Sequence, residues 1–358
     1  MLRSCKYLLI LPTELNYLMR TRYNAAITAL GGYVPDTILT NHDLEEMVDT
    51  NSEWIVSRTG IKERRIVNNP DIATSDMATF ALRRLMEDGN VEPDEIDCVI
   101  VSTSTPDYVM VSTGSMVCEK AGLKNSWGID TNAACSGFLY ALTLGASMIE
   151  SGRCKKVVVI GADKNSSIVN YTDRNTCILF GDGAGAVLLE KTEEDFGLID
   201  SFFRTDGSGK ENLIVTAGGS KYPASQDTLD QKLHYVRQDG RVVFKAAIQG
   251  MTDTCNEILR ANHLESRQIN HLIPHQANLR IIQAVGDNLG LSADQVKINI
   301  DRYGNTTAAT IPLCLWDYQK DFKKGDNMIL TAFGAGFSWG ATYLRWGKLR
   351  NKSSQNEH

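Results

Sequence analysis

The sequence predicts an α/β protein built from two similar halves, and three observations lead to this prediction. Short, continuous apolar runs such as 98–101 and 157–160 are typical of buried parallel strands. They alternate with segments of helical periodicity. The order of these segments returns about 170 residues later in the chain. A βαβαβ-like unit that is present twice predicts two similar sheets that pack through helices.

Composition limits the classes of function. The 358 residues are 42% hydrophobic and 22% charged, which is ordinary for a soluble globular protein with a sizeable core. A net charge of -6 argues against bulk nucleic-acid binding, and no apolar run approaches the roughly 18 residues of a membrane span. The eight cysteines are scattered without a CxxC pair or zinc-like spacing, so we expect reduced thiols, no metal and a cytoplasmic protein.

The periodic pattern suggests a division of the chain. It begins near residue 25, with Met19 just before it, so we expect residues 1–18 to be an extension outside the fold, added by an upstream start codon. The predicted segments are an N-terminal extension (1–25), a first half (26–195), an irregular connecting region of surface strands and loops (196–241), a second half (242–347) and a polar tail (348–358).

The elements of the first half follow in order. The pattern predicts strands at 25–33, 97–103, 127–130, 156–161 and 185–189, and helices at 43–49, from 52, 75–87, 115–121 and from 138. The glycine-rich turn at 180–185 lacks a Lys-Ser/Thr ending and leads into a strand, which favours close backbone packing over a phosphate loop. Regular structure resumes with a helix at 243–260.

An indole and a guanidinium are predicted to share one face of the helix that begins at residue 52. Trp54 and Arg58 are four residues apart, and side chains at that spacing are neighbours on a helix. Together they suit a nucleotide, by stacking and by phosphate pairing. The alternative is a cation–π pair on the surface.

One cysteine lies at the start of a predicted buried helix. Cys135 follows a strand-like segment and precedes the apolar run 138–149. Unpaired N–H groups and the helix dipole favour a thiolate in the first turn of a helix. A small cysteine in the core is the alternative.

The repeat relates this cysteine to a second helix. Matching positions differ by 272−99=173, 291−123=168, 305−135=170 and 329−158=171. Under this alignment the helix at Cys135 and the helix near Asn305 are counterparts across a pseudo-twofold axis. Their N-termini are then expected to meet at one cavity.

The second half supplies two further candidates. His275 follows a buried strand at its carboxyl end, where ligands bind in such sheets, although a structural role is the commoner one for a histidine. Asn305 could equally be a plain N-cap. With Cys135 they form a thiol nucleophile and two neutral hydrogen-bond donors. The turn at 333–337 could supply backbone N–H groups to an oxyanion, and Arg174 and Arg280 could meet phosphates.

At these residues the chain resembles β-ketoacyl-[acyl-carrier-protein] synthase III, the initiating condensing enzyme of type II fatty-acid synthesis, in the thiolase superfamily. The resemblance covers roughly 26–346 and implies a five-layered αβαβα fold. Related elongating synthases carry a second His where this chain has Asn305, and thiolases use His and a second Cys. The motifs that carry the resemblance are WIVSRTGI (54–61), ACSGF (134–138), FGDGAG (180–185), HQANLR (275–280), GNTTA (304–308) and FSWG (337–340).

The resemblance implies roles for these residues. Cys135 takes the acyl group from an acyl-CoA primer, and no cofactor other than this CoA thioester substrate is needed. His275 and Asn305 then hold the malonyl thioester while CO2 leaves. The backbone N–H groups of Cys135 and Ala335 are the implied oxyanion hole.

Further implied contacts lie around this centre. Trp54, Arg58 and Arg174 would bind CoA, whereas Lys245 and Arg280 would dock the acyl-carrier protein. Phe180 and Met110 would line the acyl pocket, Met110 from the partner of a homodimer. Each residue in this paragraph is carried over from the motif that it matches.

The chain departs from the family pattern at three places. Ala335 replaces a frequent glycine, which matters little because the backbone acts there. Asp287 and Asn288 stand where some relatives carry lysines, which suggests a weaker or shifted docking surface. Met110 stands where acetyl-selective enzymes have Phe, and a flexible Met is expected to admit longer or branched primers.

Three alternatives remain open at this point. A related condensing enzyme could make a secondary metabolite or signalling ketone, and activity with malonyl-CoA would favour it. A cysteine hydrolase or peptidase also uses Cys, His and Asn in that order, although the internal repeat argues against it. A catalytically inactive scaffold partner is disfavoured, because Cys135, His275 and Asn305 are all present.

Overall fold

Two stacked β-sheets form the centre of the protein, and helices cover and separate them. The computed structural model describes residues 24–350. The extension predicted over residues 1–18 and residues 351–358 of the predicted tail lie outside the described residues.

The strands are β1 (Asn24–Tyr33), β2 (Ile38–Thr40), β3 (Glu63–Arg65), β4 (Cys98–Ser102), β5 (Trp127–Thr131), β6 (Lys156–Asp163), β7 (Gly183–Thr192), β8 (Gly197–Thr205), β9 (Leu213–Val215), β10 (Val236–Gln238), β11 (His271–Pro274), β12 (Asn327–Gly334) and β13 (Ser338–Arg345). The helices are α1 (Asn41–Glu45), α2 (Ser52–Thr59), α3 (Thr74–Gly89), α4 (Thr113–Ala121), α5 (Gly137–Glu150), α6 (Gln226–Asp230), α7 (Gly240–Ala261), α8 (Leu279–Asn288), α9 (Ile300–Tyr303) and α10 (Thr310–Tyr318).

The two large sheets repeat one topology. The first has the order β1-β7-β6-β4-β5, and the second has the order β11-β12-β13-β8. In each, one parallel pair (β4 with β6, β11 with β12) is followed by two antiparallel pairs. The predicted duplication is therefore confirmed for four strands. In place of a counterpart to β5, the second sheet has an isolated bridge between Leu272 and Val296.

The layers follow the order helix, sheet, helix, sheet, helix. One hydrophobic cluster contains residues of α5, α10 and the facing sides of both sheets, so these two helices form the middle layer. A second cluster packs α3 and α4 against the outer side of the first sheet. A third packs α7 and α8 against the outer side of the second sheet. The expected five-layered αβαβα architecture is confirmed.

Helix α5 lies in the middle layer because its sequence is apolar on nearly every side. Phe138, Leu139 and Leu142 are fully buried in the cluster that both sheets share. Gly145 lets the helix pack closely on the first sheet, because an added Cβ there would lie 3.0 Å from side-chain atoms of Val159 and Leu189. Burial of this face holds the N-terminal end of α5, and with it Cys135, at the centre of the molecule.

Most elements lie where the sequence predicts them, and the differences fall mainly in the region 196–241, which also contains the short helix α6 (Gln226–Asp230). The region 196–241 was expected to hold only surface strands and loops. Instead, β8 is a nine-residue strand that pairs with β13 inside the second sheet. Its alternation is weak because it is an edge strand with few buried side chains. No helix within 24–350 is long and apolar enough to span a membrane. The domain boundaries stay a prediction.

Candidate active site

Cys135 lies in a tight turn between β5 and α5. It was expected in the first turn of the helix, but it occupies a 3₁₀ turn, Ala134–Ser136, immediately before α5. Ala134 has a positive φ of 47°, and its N–H donates to Oδ1 of Asn132 at 3.1 Å. A non-glycine residue rarely adopts this conformation, and such strain is commonest at functional sites.

The Cys135 thiol is buried and neutral. Burial, together with the nearby Asp163 carboxylate, raises the pKa of Cys135 to about 12. The expectation that the helix start favours a thiolate is therefore wrong, because desolvation outweighs the effect of the N–H groups on the pKa.

Asn305 lies in an equivalent turn before α10. Its Oδ1 accepts the N–H of Thr307 at 2.9 Å, and Thr307 has a positive φ of 50°. The 3₁₀ turn Thr307–Ala309 then leads into α10. Asn305 thus caps the turn with its oxygen, and its Nδ2 is left for the cavity that it lines.

His275 follows β11 directly and is buried. Its N–H donates to the carbonyl of Thr331 at 2.8 Å, which continues the pairing with β12. Its Nδ1 lies 2.7 Å from Oγ1 of Thr310. Burial lowers the pKa of His275 to about 3, so the imidazole is neutral near pH 7.

One cavity of about 540 Å³ brings the predicted centre together. Cys135, His275 and Asn305 all line it, and so do Phe180 and Ala335. Phe180 pairs with Asn305 through an isolated bridge. The cavity is otherwise lined mainly by apolar side chains that include Ile168, Leu179, Leu213, Val215, Val236 and Ile281. Apolar walls around a thiol and two neutral donors suit a reaction that must exclude water.

The structure corrects the register of the predicted repeat. The two 3₁₀ turns and the helices after them align at 307−134=173 and 310−137=173. The counterpart of Asn305 is therefore Asn132 (305−132=173), and the counterpart of Cys135 is Ala308. Cys135 and Asn305, predicted as equivalents, are three residues out of register.

The strand end beside each turn determines which atoms contact the N–H groups of that turn. In the strands that support the turns, Met328 has the same position in its parallel pairing as Val157 has in the other sheet. The two residues are therefore equivalent, with an offset of 328−157=171, and the same offset aligns Gly334 with Asp163. A Cβ added to Gly334 would lie 2.8 Å from the Cys135 nitrogen, so only glycine leaves the space in front of that N–H open. Among residues 24–350, no acceptor oxygen bonds to the Cys135 N–H. It is therefore free to meet a ligand oxygen.

Asp163 fills the corresponding space in front of the turn that carries Asn305. It is fully buried, and its oxygens accept from five donors: Thr103 Oγ1 (3.1 Å), Ser104 N (2.7 Å), Thr105 Oγ1 (3.0 Å), Ala308 N (3.2 Å) and Thr307 Oγ1. Burial raises its pKa, and the hydrogen bonds oppose that effect. The carboxylate thus occupies the Ala308 N–H and fixes the turn that carries Asn305.

None of the three predicted CoA residues, Trp54, Arg58 and Arg174, lines the cavity. The guanidinium carbon of Arg174 is 5.3 Å from the centroid of the Trp54 ring, and Arg174 Nη1 donates to the carbonyl of Asp49 at 2.9 Å. Arg58 is exposed, and its carbonyl accepts Nδ2 of Asn278 at 2.9 Å. The sequence predicted a shared face for Trp54 and Arg58, but Arg174 is the residue that covers the indole.

The predicted docking residues flank the cavity on α7 and α8. Lys245 and Arg280 are both exposed, and the Arg280 guanidinium lies 5.1 Å from the ring centroid of Phe244, which lines the cavity. Met110 is different. It is 96% exposed in the loop before α4 and does not line the cavity of its own chain.

Sequence reasoning missed three residues that shape the site. Asp163 carried a usable signal, because it is an acid at the carboxyl end of an apolar strand. Gly334 was noticed only as part of a turn. Thr310 had no signal, since nothing in the sequence indicates that it contacts a residue 35 positions away. Within the described residues there is no cluster of three His, Cys, Asp or Glu that could hold a metal ion.

Comparisons with known proteins agree on one family. The profile of 3-oxoacyl-[acyl-carrier-protein (ACP)] synthase III matches residues 129–207, and the profile of its C-terminal region matches 259–346. The chain is 55% identical over 326 residues to a β-ketoacyl-[acyl-carrier-protein] synthase III of Phocaeicola vulgatus, covering 91% of this chain and 98% of that one.

Solved structures give the same result. The crystal structure of 3-oxoacyl-[acyl-carrier-protein] synthase III from Aquifex aeolicus VF5 superimposes with a TM-score of 0.83 at 40% identity, covering 90% of this chain and all of that one (100%). The priming β-ketosynthase of the R1128 polyketide biosynthetic pathway has a TM-score of 0.82 at 30% identity, covering 90% of this chain and 96% of that one.

Proposed function

The chain belongs to the 3-oxoacyl-[acyl-carrier-protein] synthase III family of acyltransferase-type condensing enzymes, and on that premise we propose its reaction. It condenses a short acyl-CoA with malonyl-[acyl-carrier-protein], with loss of CO2, in the initiating step of type II fatty-acid synthesis. The products are 3-oxoacyl-[acyl-carrier-protein], CoA and CO2. The observation that carries the proposal is the common cavity of Cys135, His275 and Asn305.

The first step transfers the acyl group to Cys135. The sulfur attacks the thioester carbon, the bond to the CoA sulfur breaks, and the thiol proton leaves with CoA. The Cys135 N–H and the Ala335 N–H hold the oxyanion of the tetrahedral intermediate. The open space beside Gly334 supports this role. Since the resting thiol has a raised pKa, proton loss accompanies the attack rather than preceding it.

The second step forms the carbon–carbon bond. His275 and Asn305 donate hydrogen bonds to the thioester oxygen of the malonyl group, which stabilises the enolate left when CO2 departs. The enolate carbon attacks the acyl-Cys135 carbonyl, the sulfur–carbon bond breaks, and the Cys135 sulfur takes a proton from solvent. Neutral donors in a mainly apolar cavity suit this step, because they stabilise developing charge without protonating the carbanion.

We assign the substrate contacts outside the cavity to the same proposal. Trp54 and Arg174 hold the adenine of CoA, with Arg58 near its phosphates. Lys245 and Arg280 attract the acidic acyl-carrier protein. Arg174 already lies over the indole, so the adenine has to displace it or stack beside it. The observed contact is itself a cation–π pair, so binding of CoA, and not this contact, has to distinguish the two interpretations.

A homodimer is part of the proposal. β5 is an edge strand of the first sheet, and Trp127 on it is 44% exposed. The neighbouring loop exposes Tyr108, Val109 and Met110, an apolar patch that suits a second copy of the chain. Met110 would then reach the partner's acyl pocket, and its flexible side chain would admit branched primers. Light scattering that gives a monomer mass at micromolar concentration would contradict the dimer.

The supply of substrates and the location follow from the reaction. A cytoplasmic enzyme has both acyl-CoA and acyl-carrier protein at hand, and no metal or separate cofactor takes part in either step.

A second candidate is a priming synthase for a secondary metabolite, which the similarity to the R1128 priming β-ketosynthase supports. The two candidates differ in the malonyl thioester that they accept, which is carrier-bound for the first and CoA-bound for the second.

The test is a condensation assay with paired substrates. Purified protein receives acetyl-CoA or isobutyryl-CoA with malonyl-[acyl-carrier-protein] or malonyl-CoA, and the 3-oxoacyl products are measured by mass spectrometry. We expect condensation on the carrier protein with both primers, the branched primer competing well. Strict acetyl preference would contradict the role of Met110. Condensation only with malonyl-CoA would favour the second candidate, and free acid alone would indicate a hydrolase.

A further inference from the structure

The buried hydroxyl of Thr310 contacts the back of the His275 ring. Thr310 is the first residue of α10 and is 2% exposed. Its Oγ1 lies 2.7 Å from His275 Nδ1. Because Nδ1 is engaged behind the ring and His275 lines the cavity, Nε2 is the nitrogen that substrate can reach.

The protons at this contact can be accounted for. Burial lowers the pKa of His275 to about 3, so a single ring nitrogen carries a proton near pH 7. The Thr310 hydroxyl has one proton and two acceptors within reach, His275 Nδ1 and the carbonyl of Thr307 at 3.0 Å. That carbonyl already accepts the Thr310 N–H. The hydroxyl can therefore donate to Nδ1 without leaving a buried group unpaired.

We propose that Thr310 is a positioning residue whose hydroxyl donates to His275 Nδ1 and so keeps the ring proton on Nε2. The consequence rests on the proposed function, since a thioester oxygen needs a donor facing it. In the other tautomer, Nδ1–H donates to Thr310 and Nε2 presents a lone pair to the cavity. That lone pair would repel the enolate oxygen, and only Asn305 would remain as a donor.

In the first half of the molecule, the equivalent strand end and helix start are also in contact, but without an imidazole and a hydroxyl partner. The counterparts of His275 and Thr310 are Ser102 (275−102=173) and Gly137 (310−137=173). A Cβ on Gly137 would lie 2.1 Å from the Ser102 hydroxyl oxygen, so this strand end and helix start also touch. Close approach is thus a property of the fold, whereas the imidazole and its hydroxyl partner occur in the second half.

The direct test measures the tautomer in the resting enzyme. Protein labelled with ¹⁵N-histidine is examined by NMR, because a protonated and an unprotonated ring nitrogen have well-separated shifts. The sequence has six histidines, so His275→Gln identifies the signal of His275. We expect Nε2 to be protonated in the wild type and in Thr310→Ser, and mixed tautomers in Thr310→Val. A wild-type proton on Nδ1 would overturn the proposal, whatever the enzyme's activity.

Kinetics then separate positioning from simple stability. Thr310→Val is expected to slow malonyl decarboxylation at least about tenfold, up to the roughly 10³-fold cost of losing an oxyanion donor. Acylation of Cys135 should change by less than about twofold, and Thr310→Ser should restore decarboxylation. Thr79→Val is the matched control, because Thr79 is an equally buried (2%) threonine bonded only to the Ser75 carbonyl in α3.

Two results would contradict the proposal in this assay. One is a rate of malonyl decarboxylation in folded Thr310→Val that equals the rate of the wild type. The other is an equal loss of acylation and decarboxylation in that variant, as a general packing defect would produce. If the wild type itself does not condense substrates, the proposed function fails, while the NMR result still decides the tautomer.

Discussion

The two turns at the centre of the molecule share a conformation but not a chemistry. In both, an Asn oxygen accepts the N–H two residues later, the residue there has a positive φ, and a 3₁₀ turn enters a central helix. The first turn holds a thiol beside an open N–H. The second holds Ala308, whose equivalent N–H is taken by Asp163. The difference arises from the strand end beside each turn, which is Gly334 at the Cys135 turn and Asp163 at the Asn305 turn.

This comparison indicates how a duplicated fold divides one reaction. The half that leaves its N–H open can stabilise an oxyanion, so it is suited to carry the nucleophile. The second half, whose N–H at Ala308 is occupied by the Asp163 carboxylate of the first half, gains a rigid turn and is suited to present neutral donors. Each prediction below removes or exchanges one of the features that differ.

The largest effect is expected at the thiol. Cys135→Ser should abolish acyl-enzyme formation and reduce condensation at least about 10³-fold, because the acyl group has no sulfur to bind. Placing the thiol in the other turn, as Cys135→Ala with Ala308→Cys, should not restore activity, since Asp163 occupies the N–H there. Intact-mass measurement checks both variants. Cys118→Ala is the control, because Cys118 is equally buried (7% exposed) and lies in α4. Acylation of the double variant would contradict the comparison.

Closing the open N–H should have the next largest effect. In Gly334→Ala the new Cβ would lie 2.8 Å from the Cys135 nitrogen, so acylation should slow about 10²- to 10³-fold, as for a lost oxyanion donor. Stopped-flow release of CoA measures this step. Gly207→Ala serves as the control, because a Cβ there meets nothing within 4 Å. Unchanged acylation in Gly334→Ala would show that the Cys135 N–H is not used.

Removing the charge from the second turn tests its rigidity. Asp163→Asn keeps the shape but points an amide N–H₂ at groups that all donate to the carboxylate. It should lower stability by about 2 kcal/mol and the Tm by several degrees. Calorimetry measures both. Asp88→Asn, which breaks a surface pair with Arg84, should change stability by less than about 0.5 kcal/mol. Equal effects of the two variants would argue against a structural role for Asp163.

The smallest expected effect is a pH dependence of stability. His275 has a folded-state pKa of about 3, below its ordinary 6.5, so below pH 6.5 the unfolded chain binds a proton that the folded chain does not. Between pH 6.5 and 5 the wild type should lose about 1.5 kcal/mol more stability than His275→Gln. Denaturant titrations at both pH values measure the difference. Parallel losses would mean that His275 is protonated in the folded state.

Sequence reasoning reached most of this fold because apolar runs and their repetition are local signals. It found Cys135 and His275, since each follows a strand at its carboxyl end, and Asn305 by its place in the repeat, although Asn305 follows the short helix α9. It paired Cys135 with Asn305 because the matched motifs allow offsets from 168 to 173, and choosing among these requires the turn geometry. The pairing of β8 within the second sheet was missed, because an edge strand buries few side chains.

Other features depend on contacts between distant segments. The neutral thiol results from burial, which no single motif reveals, and so the expected thiolate was wrong. The contact between Thr310 and His275 and the space beside Gly334 arise when α10, β11 and β12 pack together. The assigned roles of the site residues stay predictions until they are tested.

A single-turnover chase tests the central claim most directly. The protein is acylated with isobutyryl-CoA, freed of CoA and mixed with malonyl-[acyl-carrier-protein], while mass spectrometry follows the Cys135 peptide and the carrier protein. The account predicts a stoichiometric acyl group on Cys135 that moves onto the carrier protein as a 3-oxoacyl product, with one CO2 released. An adduct on another residue, or its loss as free isobutyric acid without carrier product, would contradict the account.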